Sequence, residues 1–129
     1  MSETKSTFED LEIWQMARDF RKEISMLTKT FPPEEKYRLN DQMVRASRSV
    51  TANIAEGYGR YHYQENIQFC RQARGSLYEI IDHLTLSLDE DYITKDCFED
   101  LRTKVFIIIR KLNGYVQYLE KRKTVKVVK

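Results

Sequence analysis

Apolar positions in this chain recur at alternating steps of four and three, a spacing that predicts helices. In the first stretch Ile13, Ala17, Phe20, Ile24, Leu27 and Phe31 form one heptad seam. Thr7, with Asp10 three positions on, reads as a capping box at its start. Pro32-Pro33 ends it, because proline lacks an amide donor and pushes the preceding residue out of the helical region. In the second stretch the seam is Leu39, Met43, Ala46, Val50, Asn53 and Gly57. Its narrowing toward Ala, Asn and Gly predicts a close approach of two helix backbones. Asn53 falls within the seam, so it reads as a buried polar group that fixes register. Glu34 and Glu35 suit the first turn of this helix, where the dipole favours anions. Gly57 and Gly59 bracket its stop, and either suits a left-handed cap.

The third seam, Tyr63, Ile67, Cys70, Leu77, Ile81, Leu84 and Leu88, is interrupted at Arg74. Gly75 beside it predicts a close helix contact, since a mid-helix glycine costs ~1 kcal/mol against alanine. Thr94 caps the fourth helix. Its seam is Phe98, Leu101, Val105, Ile108, Leu112, Tyr115 and Leu119. The fold predicted is all-α: an up-down-up-down, left-handed four-helix bundle over residues 7–122. The helices are expected at about 8–31, 34–58, 61–89 and 95–122, with residues 1–6 disordered and 123–129 a basic mobile tail. Residues 105–109 are apolar all round the fourth helix, so one core cannot cover them. Phe106, Ile107 and Ile109, with Val116 and Tyr118 farther along, therefore predict a homo-oligomer interface.

Composition narrows the class. A chain of 129 residues with 4 glycines and 2 prolines suits one helical domain. No apolar run approaches the ~20 residues that span a bilayer. The polar N-terminus does not read as a signal peptide, and the chain is expected in the cytoplasm. Cys70 and Cys97 lack paired spacing and read as reduced, buried thiols. The formal net charge of +2 conceals segregation: residues 36–75 carry +4 and 101–129 carry +8, against −3 for 1–35 and −7 for 76–100. In the predicted topology the acidic groups of the 1–2 and 3–4 turns collect at one end. The 2–3 turn and the basic C-terminus share the other, partly offset by Glu9, Asp10 and Glu12.

Candidate chemistry is sparse. His62 and His83 are the two histidines, and no zinc spacing, di-iron pattern, phosphate loop or nucleophile elbow is present. The chain reads as a non-enzyme with no metal or cofactor, and Asp82 and His83 read as surface charge. The stretch Tyr58 to Tyr63 interleaves aromatics with Arg60 and His62, as single-stranded RNA recognition does. The same tyrosines also suit plugs of the bundle end, which the large area that aromatics bury favours. The candidate nucleic-acid contacts are Arg60, Tyr61, His62, Lys121, Arg122, Lys123, Lys126 and Lys129. Arg45, Arg48, Arg71 and Arg74 are candidates for a basic stripe, with ion pairing to Glu56 or Glu65 the equal alternative.

The run from Ser49 to Gly57, SVTANIAEG, resembles the signature of a bacterial family of four helix bundle proteins first noticed in intervening sequences of large-subunit ribosomal RNA genes. Asp10 to Gln15, Leu27 to Pro32 and Ala73 to Leu77 are similar to family segments in the same order. The resemblance covers roughly residues 8–122. It makes Asn53, Glu56, Gly57 and Gly75 motif residues, with structural rather than catalytic roles expected. It implies a pentamer, a ring in which polarised subunits add. A branch related in fold, the accessory variability protein of diversity-generating retroelements, binds a reverse transcriptase and nucleic acid. The partners expected are therefore the chain itself, RNA or DNA, and a reverse transcriptase or other protein. The competing expectation is a protein-interaction scaffold without nucleic-acid binding.

Overall fold

The computed structural model describes residues 6–128, with side chains through residue 123. Four helices, α1 (Glu12–Thr28), α2 (Leu39–Tyr58), α3 (Tyr63–Asp89) and α4 (Lys95–Val128), make up the fold, with no strand among the described residues. Paired residues establish the direction of each helix. Arg21 reaches Thr51 and Asn40 reaches the Thr28 carbonyl, so α1 and α2 are antiparallel. Arg74 bonds Asn113 and Asn66 bonds Tyr115, so α3 and α4 are antiparallel. Lys104–Glu23 and Lys111–Glu12 close α4 against α1. The result is a four-helix bundle around one core, from Ile13 and Ile24 to Met43, Leu77, Leu84, Val105 and Leu112.

Helix boundaries depart from the seams where caps and turns intervene. The Thr7–Asp10 capping box is present, with the Thr7 amide 3.1 Å from Asp10 Oδ2, but it caps a separate 3-10 turn at Phe8–Asp10. Helix α1 begins only at Glu12 and ends at Thr28 rather than running over 8–31. Pro33–Glu35 forms another 3-10 turn, and Arg38 leaves the helical region at φ −121° and ψ −100°. Glu34 and Glu35 thus lie outside α2, although Glu35 Oε1 still accepts the Leu39 amide at 3.4 Å. Helix α3 begins at Tyr63, and α4 continues to Val128 beyond the expected end at 122. Neither glycine nor proline follows Gly114 to stop it. The expected tail at 123–129 is helical as far as Val128, and Lys129 lies outside the described residues, as do residues 1–5 of the expected disordered start.

Two caps replace the one anticipated on glycine. No glycine has a positive φ, and Gly59 closes α2 at φ −77°. The left-handed residue is Asp91, at φ 62°. There the Tyr92 amide donates to Ser87 O and the Asp91 amide to Leu88 O, the Schellman pattern that lets α3 turn into α4. Gly57 instead serves close packing. A Cβ at this position would stand 2.6 Å from Asn66 Oδ1 and 2.9 Å from Phe69 Cβ. The close contact expected at Gly75 is absent, because a Cβ there would meet nothing within 4 Å.

The α2 seam rotates near its end. Ile54 is 1% exposed and fills the core, while Asn53 is only half-buried. Asn53 Nδ2 donates to Ser49 O at 2.9 Å and Ser49 Oγ at 3.0 Å, and Ser76 Oγ reaches Ser49 Oγ at 2.9 Å. Asn53 is therefore part of a short polar chain between α2 and α3, not a residue in the core seam. A strict heptad drifts against the 3.6-residue turn of a straight helix, so position 54 succeeds 53. On α3 the same drift buries Ala73, Ile80, His83 and Ser87. His83, read from the sequence as surface charge, is buried with its ring 3.1 Å from Glu79.

Candidate nucleic-acid interface

The α2–α3 turn, the start of α1 and residues 115–119 of α4 converge at one end of the bundle. They enclose a pocket of about 240 Å3 lined by Tyr58, Tyr61, Tyr63, Tyr115 and Tyr118, with Leu11, Arg60, His62, Asn66 and Leu119. Each wall has a local cause. Helix α2 ends at Tyr58, and the bend that follows lifts Tyr61 to 80% exposure. Tyr61 meets His62 edge-on at 4.8 Å. Tyr115 and Tyr118 stack at 6.2 Å, three residues apart on α4. Asn66 anchors the floor, donating to the Tyr115 hydroxyl at 3.2 Å and accepting from the Cys70 thiol at 3.6 Å. Burial raises the Tyr115 pKa and pushes the Cys70 thiol up to about 11, so both are neutral here.

The cations around this pocket are unequal. The Tyr63 hydroxyl and then Tyr118, whose ring lies 5.9 Å away, raise the Arg122 pKa further. Lys123 donates to Gln64 at 2.7 Å and pairs with Glu120 at 3.1 Å. Arg60 pairs with Glu56 at 2.8 Å and covers Phe69, so much of its charge is already offset. Lys121 is exposed on the same stretch of α4, and the Lys126 side chain and Lys129 lie outside the described residues. Tyr61, His62, Arg122 and Lys123 are thus brought to one place. Tyr61 does not plug the end; Tyr63 packs against the core and does.

The stripe expected from Arg45, Arg48, Arg71 and Arg74 does not form. Arg74 bonds Asn113 at 2.7 Å and Arg71 lies 3.8 Å from Glu120, so both face α4. Arg45 pairs with Asp41 within α2, and Arg48 sits one turn before Thr51 on the α1 side. The two halves are on different sides of the bundle because the 3.6-residue turn separates the α1-facing and α3-facing flanks of α2. The residues expected at the oligomer interface also divide. Ile109 is 5% exposed and belongs to the core, with Val116 packed against it. Phe106 lies between Tyr78, at 6.1 Å, and Arg102, at 4.8 Å. Ile107 is half-buried outside the core cluster, and Tyr118 is exposed at the pocket. The sequence reading missed Leu11, Asn66 and Tyr115 as pocket residues, since only the fold brings three distant segments together.

A sequence profile of the 23S rRNA-intervening sequence protein family matches residues 9–114. The chain belongs to this family. A solved structure similar to it is a protein of unknown function from the S23 ribosomal protein family of Bacteroides thetaiotaomicron. That protein is 23% identical, and the match covers 81% of this chain and 95% of that one with a TM-score of 0.75. At this identity the likeness shows the shared fold. No curated protein matches the chain. Among the described residues of this 23S rRNA-intervening sequence family member, no cluster of His, Cys, Asp and Glu is suited to a metal ion. Among the described residues no helix is long and apolar enough to cross a membrane.

Proposed function

We propose that this chain is a non-enzymatic, self-associating accessory protein that binds single-stranded RNA at its tyrosine-rich end. The observation that carries the proposal is the pocket of five tyrosines beside Arg122, Lys121 and Lys123. Aromatic faces accept stacked bases, worth ~1–3 kcal/mol each, while neighbouring cations hold the phosphates. A family named for sequences within ribosomal RNA genes is consistent with an RNA ligand. The ribonucleoprotein version, with a reverse transcriptase as protein partner, and the pentameric number rest on resemblance. Self-association draws its support from Ile107, apolar on the outer side of α4, and from exposed Tyr118.

Fluorescence anisotropy with a labelled single-stranded RNA tests the reading across a salt series. Tyr61→Ala should weaken binding with little change in the slope of log affinity against log salt, because stacking releases no counterions. Truncation after Glu120 removes Lys121, Arg122, Lys123, Lys126 and Lys129 and should flatten that slope. Full-length protein with no affinity for RNA at low salt defeats the reading. A second reading, a protein-interaction scaffold, is favoured by one observation. A groove of about 540 Å3 between α1 and α4 is walled by Met26, Leu27, Cys97 and Leu101. Such an apolar groove suits side chains of a protein partner.

A further inference from the structure

The outer face shared by α1 and α2 carries three arginines that neither the tyrosine pocket nor the core uses. Arg18, Arg21 and Arg48 reach the surface there, over a floor of small α2 side chains, Thr51 and Ala52. Arg21 Nη1 donates to Thr51 Oγ1 at 2.9 Å, which ties the two helices and places Arg21 one turn from Arg48. Arg18 covers the Trp14 ring at 5.3 Å. Its Nε is buried without a hydrogen-bond partner, 3.9 Å from the Asp19 carboxylate. Among the described residues no carboxylate pairs with Arg21 or Arg48. Asp41 and Glu56, the acids of α2, are engaged by Arg45 and Arg60. On other faces Arg74 bonds Asn113, Lys104 pairs with Glu23 and Lys111 pairs with Glu12.

This face is continuous with the pocket. Leu11 lines the pocket, and Trp14 follows one turn later with Phe8 edge-on to it at 5.1 Å. From Trp14 to Arg21 the helix rises ~10 Å. We propose that Trp14, Arg18, Arg21 and Arg48 form a second subsite, a phosphate track along which the RNA strand continues after its bases enter the tyrosine pocket. The chemistry fits a polyanion. Guanidinium groups give forked donors to phosphate oxygens. The small floor lets a sugar–phosphate chain lie close to the helices. Trp14 seats the Arg18 guanidinium over its ring at the junction with the pocket.

This inference rests on the RNA reading above, and oligomer length separates the two. A dinucleotide fits the pocket alone, whereas a strand of about 12 nucleotides also spans the track. The test compares wild type with the triple variant Arg18→Gln, Arg21→Gln, Arg48→Gln, with circular dichroism to confirm the fold. Because Arg21 bonds Thr51, the double variant Arg18→Gln, Arg48→Gln is measured beside it. The long strand should bind the triple variant more weakly, with a salt slope flattened by about 2, since each lost phosphate contact removes about 0.7. The double variant should lose about two-thirds of that slope, and dinucleotide binding should be unchanged in both. If the long strand keeps its wild-type slope on either folded variant, the track is wrong and the pocket reading stands. If wild type binds neither oligonucleotide at low salt, both fall.

Discussion

At Gly57 a single methyl group decides whether α2 and α3 can cross. The alanine Cβ would enter the space of Asn66 Oδ1 and of Phe69 Cβ. Asn66 is held by Tyr115 and Cys70, and Phe69 Cβ is fixed to its backbone, so neither yields cheaply. Gly57→Ala should destabilise by ~1–3 kcal/mol, as overpacking does. Gly75→Ala and Gly114→Ala meet open space and should instead stabilise by ~0.5–1 kcal/mol through helix propensity. Urea titration of the three variants reads both signs. At the opposite end Tyr92 donates to Glu35 Oε2 at 2.7 Å. That bond, followed by burial and the charges of Glu35, Glu90 and Glu34, pushes its pKa from 10.0 up to about 12. A raised folded-state pKa contributes stability that is fully present below pH 10 and lost as pH rises through about 12. The stability gap between wild type and Tyr92→Phe should therefore be constant below pH 10 and close on approach to pH 12, as alkaline unfolding curves would report.

Among the elements, α4 departs furthest from the expectation drawn from its sequence. Its run of five apolar residues is largely answered within the chain, by the core for Val105, Ile108 and Ile109 and by Tyr78 and Arg102 for Phe106. Only Ile107 is left on the outer side. The self-association proposal therefore concentrates on that residue. Ile107→Lys should shift sedimentation from an oligomer to a monomer with helical content unchanged. A matching Phe106→Glu change should cost folding stability as well, because it removes packing against Tyr78. A wild-type monomer at all concentrations would sink the proposal.

Over the whole molecule the acidic turns gather at one end, while Glu9, Asp10 and Glu12 share the other with the cations of α4. Tyr92 joins the two acidic turns through Glu35, and the pocket joins the α2–α3 turn to the basic end of α4. Helix α3, 27 residues long, holds these ends ~40 Å apart. At 0.15 M ionic strength the Debye length is ~8 Å, so the acidic end is screened from a ligand at the other. Neutralising Glu34, Glu90 and Asp91 together should leave RNA affinity unchanged there. The same change should raise affinity near 0.01 M salt, where screening extends to ~30 Å. Anisotropy titrations at the two salt concentrations check both statements.

Apolar spacing alone carried the four helices, their order and much of the core seam. Apolar spacing is a local property, and Ile13, Met43, Leu77 and Leu112 fall where it puts them. Short connections between antiparallel helices also put the acidic 1–2 and 3–4 turns at one end and the 2–3 turn at the other. Tertiary structure decided the rest. Whether position 53 or 54 faces the core depends on how far a real helix turns over five residues, and a glycine's neighbours lie on another helix. Gly57 is crowded and Gly75 is not, although a mid-helix glycine suggested a close contact at both. The site followed the same division. Tyr61 and Arg122 were legible as an aromatic at mid-chain and a cation near the C-terminus. Leu11, Asn66 and Tyr115 became pocket walls only when α1, α3 and α4 met, and the separation of Arg48 from Arg74 was set by which helix packs against each flank of α2 and α3.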